Sequence, residues 1–308
     1  PHHAAMAAWL RQFDPTRPVQ YESGCPGPEV TDIMVPMYPQ RDWIVQVMAD
    51  ARETRPMILC EYAYAKGNAN GNVDIYWDLV DRWPAFQGGF VWDWADKALT
   101  RTVDGAEQWA YGNEFDGGIG PDGYDYGAHE NPQMCLNGVV LPDLTPKPGA
   151  IELMKVQAPV GFAVAGADAL AAGEVTVHNK YLALDLTHLD IHWQLLQDGE
   201  VAAAGSLPAP AVEPGGQGTL SVPLELPAAA VRGTELLLGL TACQREATPW
   251  SPAGHAVAWE QFELPVPTAA ARPPAAEPPG LTLTEAGQRV TIAGAGVSLA
   301  FDRATGCL

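Results

Sequence analysis

Between Pro56 and Asn68 the chain reads PMILCEYAYAKGN. An unbroken apolar run, Met57–Cys60, ends on a carboxylate, Glu61, and passes straight into a turn rich in Gly and Asn. Apolar residues without polar alternation fit a strand covered on both faces, as in parallel sheets flanked by helices. When such a strand stops on an acid, the acid sits at the rim of the sheet, where a side chain can meet a ligand. Glu61 could then serve as a nucleophile or as a general acid/base. The plainer reading is a solvated or ion-paired carboxylate, and the neighbouring runs decide between the two.

Three further runs read as buried strands: Pro18–Tyr21, Ile33–Met37 and Gly88–Trp92. Helical stripes separate some of them. Trp43–Ala51 precedes the Met57 run, and Ile75, Tyr76, Leu79, Val80 and Trp83 follow it, ending before Pro84. Met6, Trp9, Leu10 and Phe13 form an apolar face on another helix, closed by Pro15. Strands alternating with helices predict a parallel α/β sheet. The gap between the first two strands is too short for a full helix. Four strands cannot close an eight-stranded barrel, so half of one is expected. The four strand ends carry Glu22, Tyr38, Glu61 and the cluster Trp92–Asp96. In a parallel barrel all such ends open on one face. Acids to bind hydroxyls and aromatic faces to stack on a pyranose would converge there, the inventory of a sugar site.

After Lys155 the composition shifts to Ala, Val, Leu, Gly and Pro. Strand-like runs follow at Glu174–Asn179, Thr187–Gln197, Gly218–Leu224, Glu235–Ala242 and Ala256–Leu264, with an Asp198–Gly199 hairpin signal. This spacing suggests an immunoglobulin-like sandwich. Pro265–Pro279 reads as a stiff linker, and Leu281–Phe301 alternates as a new β unit. The expected division is 1–158 for the half-barrel, 159–266 for the sandwich, 267–279 for the linker and 280–308 for the first strands of a large β-sandwich. The fold class expected is α/β plus all-β.

A net charge of −20 disfavours nucleic acid and anionic membrane surfaces. No apolar run approaches the ~20 residues of a membrane span. Five scattered cysteines without CxxC spacing argue against a disulfide framework and for a reducing, cytoplasmic compartment.

The segments RPVQYE (17–22), TDIMVPMY (31–38), TRPMILCEYA (54–63) and QGGFVWDW (87–94), with CLNG (135–138), DLTPKP (143–148) and WSPAGHAVAW (250–259), follow in fitting order. Together they resemble the large bacterial β-galactosidases of glycoside hydrolase family 2. The resemblance implies a partial (β/α)8 TIM barrel, the following immunoglobulin-like domain and the start of a large β-sandwich. It also implies retaining hydrolysis of terminal, lactose-like β-D-galactosides. Glu61 falls on the nucleophile, Tyr38 beside it, Trp92 on a sugar-stacking wall, and Tyr64 and Asn137 on substrate-binding positions. Asn137 matches a Na+ ligand, with the backbone carbonyl of Met134 a second. Mg2+ ligands and the general acid/base would lie upstream of Pro1. The 308 residues alone are therefore expected to be inactive, as a chain cut from a longer, homo-oligomeric parent.

Two departures bear on substrate. Tyr64 stands where the family usually has His, and Met134 where it usually has Phe, so strict galactose preference is the looser expectation. A β-glucuronidase or β-mannosidase of the same family is one alternative. A non-catalytic carbohydrate-binding protein is another.

Overall fold

A computed structural model describes residues 2–67, 70–110, 136–226, 234–265, 280–294 and 296–308. The sequence-predicted linker lies almost wholly outside them, as does Met134.

The apolar runs pair in chain order as a parallel sheet. Gln20 bridges Ile33, Met34 bridges Met57 and Met37 bridges Glu61, all in parallel. Strand β1 (Met57–Tyr62) then pairs in parallel with β2 (Phe86–Val91). The second run appears only as bridges because Pro36 has no N–H to give the ladder. Its carbonyl still accepts from Cys60 N–H at 3.1 Å.

Four runs were expected and the structure shows a fifth. Asn137–Val140 lies beside the continuation of β2, with Ala95 bridging Val140 in parallel. Val139 N–H donates to Asp93 O at 2.9 Å, and Asp93 N–H to Asn137 O at 2.6 Å. That stretch is short and opens on an Asn-Gly pair, which reads as turn chemistry in a sequence.

Helix α1 is His2–Phe13, α2 is Arg41–Ala49 and α3 is Asp74–Arg82. Ile44 of α2 and Leu79 of α3 close on Met34, Met57, Leu59, Tyr62 and Phe86 to form the core under the sheet. The opposite face is less covered than expected: Cys60 is only half-buried and Phe90 is 69% exposed. The apolar face of α1 is likewise open, with Phe13 at 76% exposure. A hairpin that the pattern had not indicated, β3 (Leu99–Val103) with β4 (Ala106–Ala110), turns at Asp104–Gly105. Helix α4 (Pro148–Val156), with Pro at its start, packs Leu153 against Val139, Val140, Val73 and Ala65.

Beyond α4 the chain forms two antiparallel sheets. One holds β5 (Val160–Ala163), β6 (Glu174–Asn179) and β9 (Gln217–Ser221), with the short helix α5 (Ala167–Ala171) between the first two. The other has the order β11-β10-β7-β8, from β7 (Leu189–Gln197), β8 (Glu200–Pro208), β10 (Leu236–Gln244) and β11 (Ala256–Glu263). β7 alternates strictly, burying Leu189, Ile191, Trp193 and Leu195. These meet Val175, Val177 and Leu220 of the other sheet in one core. Strands β12 (Thr282–Ala286), β13 (Arg289–Gly294) and β14 (Val297–Asp302) form a separate antiparallel sheet, largely exposed.

Candidate active site

The parallel sheet brings Tyr38, Glu61, Tyr64, Trp92 and Asn137 to one rim. Glu61 is the last residue but one of β1, half-buried, and the chain turns at Ala63 with φ +50°. Tyr38 ends the neighbouring run, and its N–H donates to Glu61 O at 2.9 Å. Its own φ is +46°, a left-handed conformation that bulky residues rarely adopt. From there the phenol lies beside the Glu61 carboxyl. Burial pushes the Tyr38 hydroxyl well above its ordinary pKa, and the adjacent Glu61 charge adds to the shift. The phenol therefore stays protonated beside that carboxyl.

The Tyr38 and Tyr64 rings meet edge to face, centroids 6.1 Å apart. Tyr64 Oη accepts from Asn137 Nδ2 at 3.3 Å. The Asn137 side chain is 1% exposed, and its Oδ1 accepts from Lys97 Nζ at 3.1 Å. Lys97 also pairs with Asp93 and lies over the Trp92 ring, 5.0 Å from its centroid. Burial pushes the Asp93 carboxyl up, but the Lys97 ammonium and the Trp94 N–H together hold it below the usual carboxylate range. The peptide bond between Trp92 and Asp93 is cis.

The nearby Asp96 has a structural role. Its buried Oδ1 accepts from Gly138 N–H at 2.8 Å and pairs with Lys147 Nζ at 2.6 Å, locking the fifth strand to the fourth. A Cβ on Gly138 would overlap the backbone of Ala95 and Asp96, so only glycine allows this approach.

Lys97 is the residue that sequence reasoning passed over. A cation four places after Asp93, in a segment otherwise rich in acids and aromatics, was the available signal. Met134 lies outside the described residues. The donor set around Asn137 does not fit a sodium ion, because the amide oxygen is already held by an ammonium and the amide nitrogen by Tyr64. Among the described residues no group of three or more His, Cys, Asp or Glu could hold a metal ion.

Residues 1–162 match the family model for the TIM barrel domain of family 2 glycosyl hydrolases. The chain belongs to glycoside hydrolase family 2. Residues 175–265 of this family 2 chain match the model for domain 4 of β-galactosidase. It is 39% identical to β-galactosidase 2 of Enterobacter cloacae over 321 aligned positions, covering all of this chain and 29% of that protein. A β-galactosidase of Klebsiella pneumoniae is 40% identical over 287 positions, 89% of this chain and 26% of that protein. The family 2 chain thus spans less than a third of the length of these relatives. Among its described residues no helix is long and apolar enough to cross a membrane.

Proposed function

We propose that the chain carries the nucleophile half of the active site of a retaining β-galactosidase, with Glu61 as the nucleophile. The observation that carries this reading is the strand-end carboxyl of Glu61 with Tyr38 on the adjoining strand end, joined by the Met37–Glu61 bridge and by Tyr38 N–H donating to Glu61 O at 2.9 Å. Phenol and carboxylate sit at the rim where an α/β barrel binds its ligand. The β-galactosidase names of the relatives favour galactoside as substrate.

In this mechanism Glu61 attacks the anomeric carbon as the aglycone oxygen takes a proton from a partner carboxyl. The C–O bond to the aglycone breaks and a glycosyl ester on Glu61 forms. Water, deprotonated by the partner, then cleaves the ester with retained configuration. The family resemblance puts that partner outside these 308 residues, along with any Mg2+ ligands. In this reading the protonated Tyr38 hydroxyl, beside Glu61, donates to the carboxylate before attack and again as the ester breaks. Trp92 offers its ring to the apolar face of the sugar, and Tyr64 supplies a hydroxyl where hydroxyl recognition is needed.

The test uses the protein expressed at the full length its gene encodes. Glu61→Gln should abolish hydrolysis of a chromogenic β-galactoside. A 2-deoxy-2-fluorogalactoside with a good leaving group should label the peptide containing Glu61, as read by mass spectrometry. A label on a different carboxylate, or turnover by the variant at the wild-type rate, refutes the assignment.

A further inference from the structure

We propose that Lys97 is the resident cation of the Glu61 site: its ammonium occupies the Asn137 amide oxygen in place of a bound sodium ion and offers an N–H to a sugar hydroxyl. The inference rests on the glycosidase reading of that site.

The buried Asn137 amide has both ends committed, its nitrogen to Tyr64 at 3.3 Å and its oxygen to Lys97 at 3.1 Å. Lys has donors and no acceptor, so the amide must turn its oxygen to the ammonium. Asp93, the nearest carboxylate to that ammonium, is paired with it as well. A sodium ion on the same amide oxygen would stand a few ångströms from Nζ. Two unit charges about 4 Å apart repel by about 4 kcal/mol at an effective dielectric of about 20. Geometry leaves the oxygen a second lone pair, but charge closes it to a metal cation.

The Lys97 side chain is nevertheless 44% exposed. Two of its three N–H groups are accounted for by Asp93 and Asn137 among the described residues. The ammonium nitrogen itself stands 5.0 Å from the centroid of Trp92, the ring proposed to stack on the sugar. A cation tethered there can bind a hydroxyl without first capturing an ion from solution.

The experiment again uses the full-length gene product. Sodium-23 line broadening reports metal binding independently of turnover, and KM and kcat are compared in sodium and choline buffers of equal ionic strength. Wild type should show no specific broadening and kinetics indifferent to sodium. Lys97→Gln should gain both a broadened sodium signal and a sodium-dependent KM. In choline its KM should rise roughly tenfold, equivalent to about 1.4 kcal/mol, with kcat less affected. Lys97→Met, an unbranched side chain without the charge, serves if the Gln variant fails to fold by circular dichroism. Sodium binding by wild type overturns the proposal, and so does a folded Lys97 variant that binds none. Turnover surviving Glu61→Gln would instead strike at the glycosidase reading, leaving the sodium result to stand by itself.

Discussion

Tyr38 and Glu61 lie 23 positions apart in the chain, yet neighbouring strand ends make them partners. The pair works only while the phenol keeps its proton. Its pKa lies above the ordinary value of 10, first because it is buried and then because it faces a carboxylate. A raised pKa means the protonated form is fully present below the ordinary value and is lost only as pH climbs through the higher one. Tyr38 should therefore contribute no alkaline fall in kcat below about pH 10. Tyr38→Phe removes the donor and should lower kcat by roughly 10²-fold, as loss of one charge-stabilising hydrogen bond does elsewhere. Steady-state kinetics on a chromogenic galactoside check both statements. An unaltered kcat in the Phe variant would make Tyr38 a wall residue only. That Glu61 occupies a rim with a role beyond solvation was legible only when its segment was read with the neighbouring strand ends, because an isolated apolar run ending on an acid fits a solvated or paired carboxylate as well. The Lys97–Asn137–Tyr64 chain of hydrogen bonds was not legible, since it joins residues 40 and 73 positions apart. Periodicity carries no information about contacts at that range.

At the scale of elements, Gly138 is where the fifth strand can approach the fourth. Gly138→Ala forces a methyl into the Ala95–Asp96 backbone, which has no flexible side chain to yield. A loss of at least about 2 kcal/mol is expected, in the range of overpacked cores, read as a lower urea midpoint. An unchanged midpoint would mean the strands are not held this closely. The elements themselves were mostly visible in the sequence. The helix stripes at residues 43–51 and 75–83 became α2 and α3, and Glu174–Asn179 is β6 residue for residue. The Asp198–Gly199 turn has both residues at positive φ, as a two-residue hairpin requires. The same dipeptide at Asp104–Gly105 makes the same turn between β3 and β4. It went unread because the flanking residues Leu99–Ala110 alternate polar groups with no clear apolar face. The fifth strand and α4 were missed for a different reason. Each is short and built from residues, Asn-Gly and Lys-Pro-Gly, whose local preference is for turns, and tertiary pairing overrides that preference.

Over the whole molecule, apolar burial is divided. The core that joins the two antiparallel sheets draws every buried member from Val160 to Leu264 and none from the parallel sheet. The link to the preceding part is polar: Lys155 of α4 reaches Trp259 O and Glu260 of β11, and Lys180 pairs with Asp81. Surface ion pairs of this kind contribute little, about 0–1 kcal/mol each, so the sandwich should not depend on them. A fragment of residues 158–265 is expected to fold alone. Calorimetry should then give one transition with equal calorimetric and van't Hoff enthalpies, near the 60–80 kcal/mol usual for about 100 residues. Because the intact chain carries a net charge of −20, self-repulsion opposes its compact state, and added salt should raise its melting temperature. A broad, non-cooperative melt of the fragment, with dye binding to exposed apolar surface, would show that the sandwich core needs the parallel sheet after all. The parallel sheet has the opposite expectation. Its face bearing Phe90 and the apolar side of α1 are open in this chain, so the same calorimetry on residues 1–158 should show a weak transition or none.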